Sequence, residues 1–161
     1  MKKTTYTLDD IEKKVDELAL KINAPRDLLP TYGNVIGGKP CIEFDNSSYI
    51  FTVISEHGVE YERKKTDKID DLLYWIFSDV TCFMSLDYEL EYRIESKDYR
   101  RMLFDKQVEL LGQLNETWSE RKQAEHQRIL KSRPFDDFAR LRARFCKQLK
   151  QQGYSEKEIK K

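Results

Sequence analysis

An α+β fold is what the sequence predicts, and three observations predict it. An apolar stripe of helical period opens the chain, the period drops to two over residues 41–65, and helical spacing takes over from Thr66 onward. The expected architecture is an N-terminal helix, a three-stranded antiparallel β-meander and a C-terminal helical bundle of about four helices. It forms one α+β domain over residues 1–152, with 153–161 as a short C-terminal tail or helical stub.

Leu8, Ile11, Val15, Leu18 and Ile22 follow at steps of three and four, with Asp9 and Asp10 where a helix N-terminus favours negative charge. This first helix ends before Pro25, and "RDLLPTYGNVIGGKP" reads as a loop packed on the core by Leu28, Leu29 and Tyr32. "CIEF", "YIFTVIS" and "VEYERKK" are the three strands, separated by the turn signals "DNSS" and "EHG". The long segment from Thr66 carries Ile69, Leu72, Leu73, Ile76, Phe77, Val80, Phe83 and Met84 on one stripe, with Thr66 or Asp67 as its cap. Ser96 and Asp98 start a second helix, which runs to Leu114. A third runs from Asn115 past Trp118 to Leu130. A fourth, begun by Ser132 and Pro134, buries Phe135, Phe138, Leu141, Phe145 and Leu149 and stops at Gly153.

Composition narrows the function. Of 161 residues, 39% are hydrophobic and 36% charged, which excludes a disordered chain and describes a soluble globular protein. No apolar run approaches the roughly 18 residues of a membrane span, and the N-terminus lacks a signal peptide's apolar core, so the cytosol is the expected compartment. Cys41, Cys82 and Cys146 are odd in number and far apart, which argues against a disulfide frame or a zinc site. Net charge is zero, yet residues 1–98 hold 13 Lys+Arg against 20 Asp+Glu, and residues 99–161 hold 16 against 9. The chain is electrically two-ended.

Catalysis finds little to work with. His57 sits in a hairpin turn and His126 on a solvated helix face, and neither is placed as a catalytic base would be. "YGNVIGG" matches no nucleotide-binding spacing, so no cofactor is expected. The last helix aligns Arg140, Arg144 and Lys147, with Arg142 and Lys150 nearby, a stripe suited to phosphate. A nucleic-acid-binding or other interaction module using this helix is therefore the alternative reading.

The stretch "YELEYRIESKDYRRMLFDKQVELLGQLN" mixes charge with apolar residues. Arg100 and Gln107 share a helix face with Phe104, Val108 and Leu111, and polar groups on an apolar face need partners, such as Glu89, Glu91 or Asp98. Arg93, Asp98, Arg100, Arg101 and Gln107 are accordingly read as a structural polar network that joins helices.

The chain resembles the bacterial immunity protein family numbered sixty-three, found beside secreted polymorphic toxins. The resemblance rests on "LPTYG", Tyr49, "YERKKT", "DDLLYWIFSDVTCFM", "YRIESKDYRRMLFDKQVELLGQLN" and Trp118, and covers roughly residues 28 to 135. It implies a non-enzymatic protein that binds a cognate toxin in the cytosol of the producing cell and neutralises it. Charge complementarity to a basic toxin would raise the association rate, and the acidic half offers Glu43, Asp45 and Glu60 around the sheet with Asp87, Glu91 and Glu95 on the long helix.

Overall fold

In a computed structural model the described residues are 5–160, so the outermost ends of the expected domain and tail, residues 1–4 and 161, lie outside them. Helix α1 (Leu8–Lys21) opens on a reciprocal cap: Thr7 accepts from the Asp10 amide while the Asp10 carboxylate accepts from Thr7. Its face of Ile11, Val15 and Ala19 is buried, and Asn23 at φ 53° turns the chain out of the helix before Pro25. A single 3₁₀ turn, Arg26–Leu28, follows and seats Leu29 in the core.

The sheet has four strands, one more than the meander expected from the sequence. Strand β1 (Thr31–Tyr32) lies parallel to β2 (Pro40–Asp45), and β2, β3 (Ser48–Ile54) and β4 (Glu60–Thr66) run antiparallel, in the order β1-β2-β3-β4. Two residues are too few to show a period, which is why β1 reads as loop. Gly37 holds the β1–β2 connection against the next hairpin; a Cβ there would stand 2.8 Å from the Glu56 Cα, and the neighbouring Gly38 amide donates to Ile54 at 2.7 Å.

Helix α2 (Ile69–Glu91) is the central element. Lys68 occupies its cap position without a side-chain bond, and Thr66 instead accepts from the Lys68 amide one step earlier, so neither Thr66 nor Asp67 is the cap. Leu72, Ile76, Phe77 and Val80 are buried along it, each stabilising by roughly 1.5–3 kcal/mol, whereas Phe83, expected on this stripe, is exposed. The 23-residue helix packs on α3 and on strands β3 and β4.

Helices α3 (Tyr99–Leu114) and α4 (Glu116–Ser132) form a hairpin in which Asn115 ends one helix and caps the other through Thr117 and Trp118. Trp118 stacks on Phe77 with ring centroids 6.2 Å apart and donates its indole N–H to Asp70. Ile11 and Val15 of α1, Ile42 and Phe51 of the sheet, the α2 stripe, Leu111 and Trp118 make one contiguous core.

The expected fourth helix differs most. Residues 133–138 are a connector, helix α5 (Ala139–Gln151) starts five residues later than Pro134, and none of its residues is buried. Phe138, Leu141 and Phe145, expected in the core, are 67%, 62% and 59% exposed. A short capped helix α6 (Glu156–Ile159) follows Gly153, which stands at φ 95°.

Candidate functional site

A cleft of 340 Å3 opens between β4, α2, α3 and α4, lined by both apolar and ionisable residues. Each element contributes through its own periodicity. In β4, Tyr61 faces solvent, and Glu62 and Lys64 turn toward α2, paired to each other at 2.7 Å, with Lys64 over the Trp75 ring. Ser78, Asp79 and Cys82 come from successive turns of α2, and Lys122, Glu125 and His126 from one face of α4.

The floor is a buried hydrogen-bonded chain. Gln107 donates to the Ser78 carbonyl at 2.9 Å and to the Thr81 hydroxyl at 3.3 Å, and its carbonyl oxygen stands 3.0 Å from His126 Nε2. Because both Gln107 amide protons are directed at oxygens, its carbonyl is left as an acceptor, so Nε2 carries the histidine proton. His126 also stacks flat on Phe104, with centroids 3.9 Å apart. Burial, with Lys122 nearby, lowers its pKa to about 4, so the ring is neutral. Sequence spacing places His126 on a solvated face; the structure buries it, because α4 turns that face to α3. Gln107 is joined to Ser78, Thr81 and His126 rather than to Glu89 or Glu91, and it shares its buried face with Leu103, Leu110 and Leu111.

Lys122 is nearly fully buried and donates to Ser78 and, at 2.7 Å, to Glu125. Glu125 also accepts from the Tyr74 hydroxyl at 2.9 Å, and burial with this acidic neighbour pushes the phenol upward. Asp79 is different. No described donor reaches its half-buried carboxylate, and burial together with Glu62 raises its pKa to about 6.

A second polar cluster lies at the start of α3. Asp98 caps the helix, pairs with Arg100 at 2.8 Å and accepts from the Asp136 amide; Arg100 reaches across to the carbonyls of Arg133 and Pro134. Asp137 returns the contact, accepting from the Asp98 amide and from Arg101. The Arg100 guanidinium foremost, with the backbone amides of Asp136 and Arg100, holds the Asp98 carboxyl down at about 2. Arg93, just past the end of α2, pairs back with Glu89 of that helix at 2.9 Å. The five polar residues thus divide among three places: a buried chain, a latch on the 133–138 connector, and a pair at the end of α2.

The acidic residues form no single patch. Asp45 and Glu60 sit at opposite ends of β3, paired with Lys65 at 3.1 Å and Arg63 at 3.6 Å, and Glu43 lies mid-strand. Asp87 and Glu91 share the outer face of α2 with no ion pair among the described residues, and Glu95 lies past its end. Glu95 meets both Arg140 and Arg144 at 3.3 Å, Arg142 pairs with Asp136, and Lys150 with Glu156 at 3.1 Å. The basic stripe is therefore largely occupied by carboxylates of the same chain, with Lys147 alone of the five making no ion pair among the described residues.

A family model described as Immunity protein 63 matches residues 46–128. That span takes in β3, β4, α2, α3 and most of α4, and with them every residue lining the cleft except Ile129. No curated protein and no solved structure matches the chain. The match covers more than half of the sequence, and the chain belongs to the immunity protein 63 family.

Proposed function

We propose that the protein binds and neutralises a cognate secreted bacterial toxin in the cytosol of the producing cell, by occlusion and without chemistry of its own. The observation that carries this reading is the coincidence of the family match with the elements that build the cleft. No helix of the described residues is long and apolar enough to cross a membrane, which suits a protein that meets its target in solution. The cleft is the proposed seat of contact: it is concave, rimmed by Glu62, Lys64 and Asp79, and has a rigid floor. Glu43, Asp45, Glu60, Asp87, Glu91 and Glu95 surround the contact and act by their combined field, steering a basic toxin without forming a patch.

Co-expression with the toxin encoded by the neighbouring gene tests the reading. A cofactor-free complex on a sizing column, with the toxin inactive, is expected. A toxin that stays active and elutes alone would refute it. The alternative, nucleic-acid binding by Arg140, Arg142, Arg144, Lys147 and Lys150, needs cations that four ion pairs engage, so titration with mixed DNA and RNA should show only weak, salt-sensitive binding.

A further inference from the structure

Helix α5 is built inside out. It meets the rest of the chain with its basic side, where Arg140 and Arg144 hold Glu95. At 100° per residue, Phe138, Leu141 and Phe145 lie roughly 120° around the helix from that side. They form an apolar face that is mostly exposed among the described residues. Single exposed apolar residues are ordinary, but three of them aligned on one exposed face of a helix mark an interaction surface.

Helix α2 carries a face of the complementary kind. Phe83 and Leu90 are exposed along one line of it, with Ile94 just past its end, and Asp87 and Glu91 stand beside them without ion pairs among the described residues. We propose that these two faces meet between two copies of this chain, α5 of each copy lying along the outer face of α2 of the other and closing a two-fold dimer.

Charge selects this occupant. The apolar face of α5 is flanked by Arg142 and Arg144, and that of α2 by Asp87 and Glu91. Packing α5 on α5 of a second copy sets arginine against arginine, and α2 on α2 sets carboxylate against carboxylate. The crossed arrangement alone buries both apolar faces and pairs opposite charges, following the acidic and basic halves of the whole chain. The intrachain pairs of Arg142 and Arg144 are exposed, so they exchange for intermolecular ones at little cost. A toxin approaching α2 competes with the second copy for Asp87 and Glu91.

Sedimentation velocity on the full chain, from micromolar to near-millimolar concentration, tests the proposal without any toxin. A concentration-dependent dimer is expected. Phe145→Asp and, separately, the pair Asp87→Lys with Glu91→Lys should each weaken it at least about tenfold while far-UV circular dichroism stays unchanged, since these side chains touch no core. Mixing the two variants should restore a one-to-one pair through the single contact that neither mutation damages. A wild-type monomer throughout the range overturns the proposal. So does a dimer that survives Phe145→Asp, or one that Phe145→Asp abolishes while the α2 reversals leave it unchanged, the signature of α5 packing on α5.

Discussion

The family-matched core and the C-terminal arm of α5 and α6 spend their apolar residues in opposite ways. In the core, Phe77 and Trp118 stack out of solvent and Gln107, Lys122 and His126 are buried with partners. In the arm, Phe138, Leu141 and Phe145 point outward and the charged side faces the body. The difference teaches that the two regions depend on different things. The core buries its apolar residues within the described chain, whereas the arm leaves Phe138, Leu141 and Phe145 exposed.

The same truncation made in both regions should separate them most widely. Phe77→Ala leaves a cavity in the core and should cost about 3–5 kcal/mol in urea denaturation, whereas Phe145→Ala should stay within about 0.5 kcal/mol in dilute solution. Equal losses would erase the comparison. Gln107→Ala should come next, at about 2–3 kcal/mol, because it removes the bonds to the Ser78 carbonyl and the Thr81 hydroxyl and leaves the buried His126 N–H without its acceptor.

Arg100→Ala tests the junction between the regions. Loss of its bonds to Asp98, Arg133 and Pro134 should cost about 1–2 kcal/mol, and hydrogen exchange should quicken in residues 133–151 more than in α2. Uniformly faster exchange across the chain would show that the latch belongs to the core.

Asp79→Asn should have the opposite sign to these losses: a gain of about 1 kcal/mol at pH 7, less than the full shift implies, because solvent still reaches the group. Its folded pKa of about 6 lies above its ordinary 3.8, so the ionised form costs stability at pH 7, and that cost is relieved as pH falls from about 6 toward 3.8. The advantage of the variant should accordingly vanish by pH 4. His126 runs the other way. Held neutral to about pH 4, against 6.5 when unfolded, it withdraws stability as pH falls through that window. Denaturation midpoints of wild type, Asp79→Asn and His126→Gln between pH 4 and pH 7 separate the two.

Long periodic segments were legible in the sequence, and short or two-sided ones were not. Helices α1 to α4 follow their apolar spacing, and α3 and α4 start at the Asp98 and Asn115 signals. Strand β1 has no period to read. The arm misled because Phe138, Leu141 and Phe145 have the spacing of a core helix, and spacing records that a face is apolar without saying which molecule covers it. The cleft drew no notice for a similar reason: Glu62, Asp79, Lys122 and His126 lie on three elements, each among charges that look like ordinary solvated faces. A helical wheel over "RKQAEHQRILK" does place Lys122, Glu125, His126 and Ile129 on one side, and that was the available signal.

The central claim is that the core binds the toxin and the arm does not. Calorimetric titration of the toxin encoded by the neighbouring gene into wild type, Asp79→Lys and Phe145→Asp proteins tests it most directly. A cleft reversal that lowers affinity at least about tenfold, beside an arm variant that binds as well as or better than wild type, is the predicted result. Affinity unchanged by Asp79→Lys, or lost in Phe145→Asp, would contradict it.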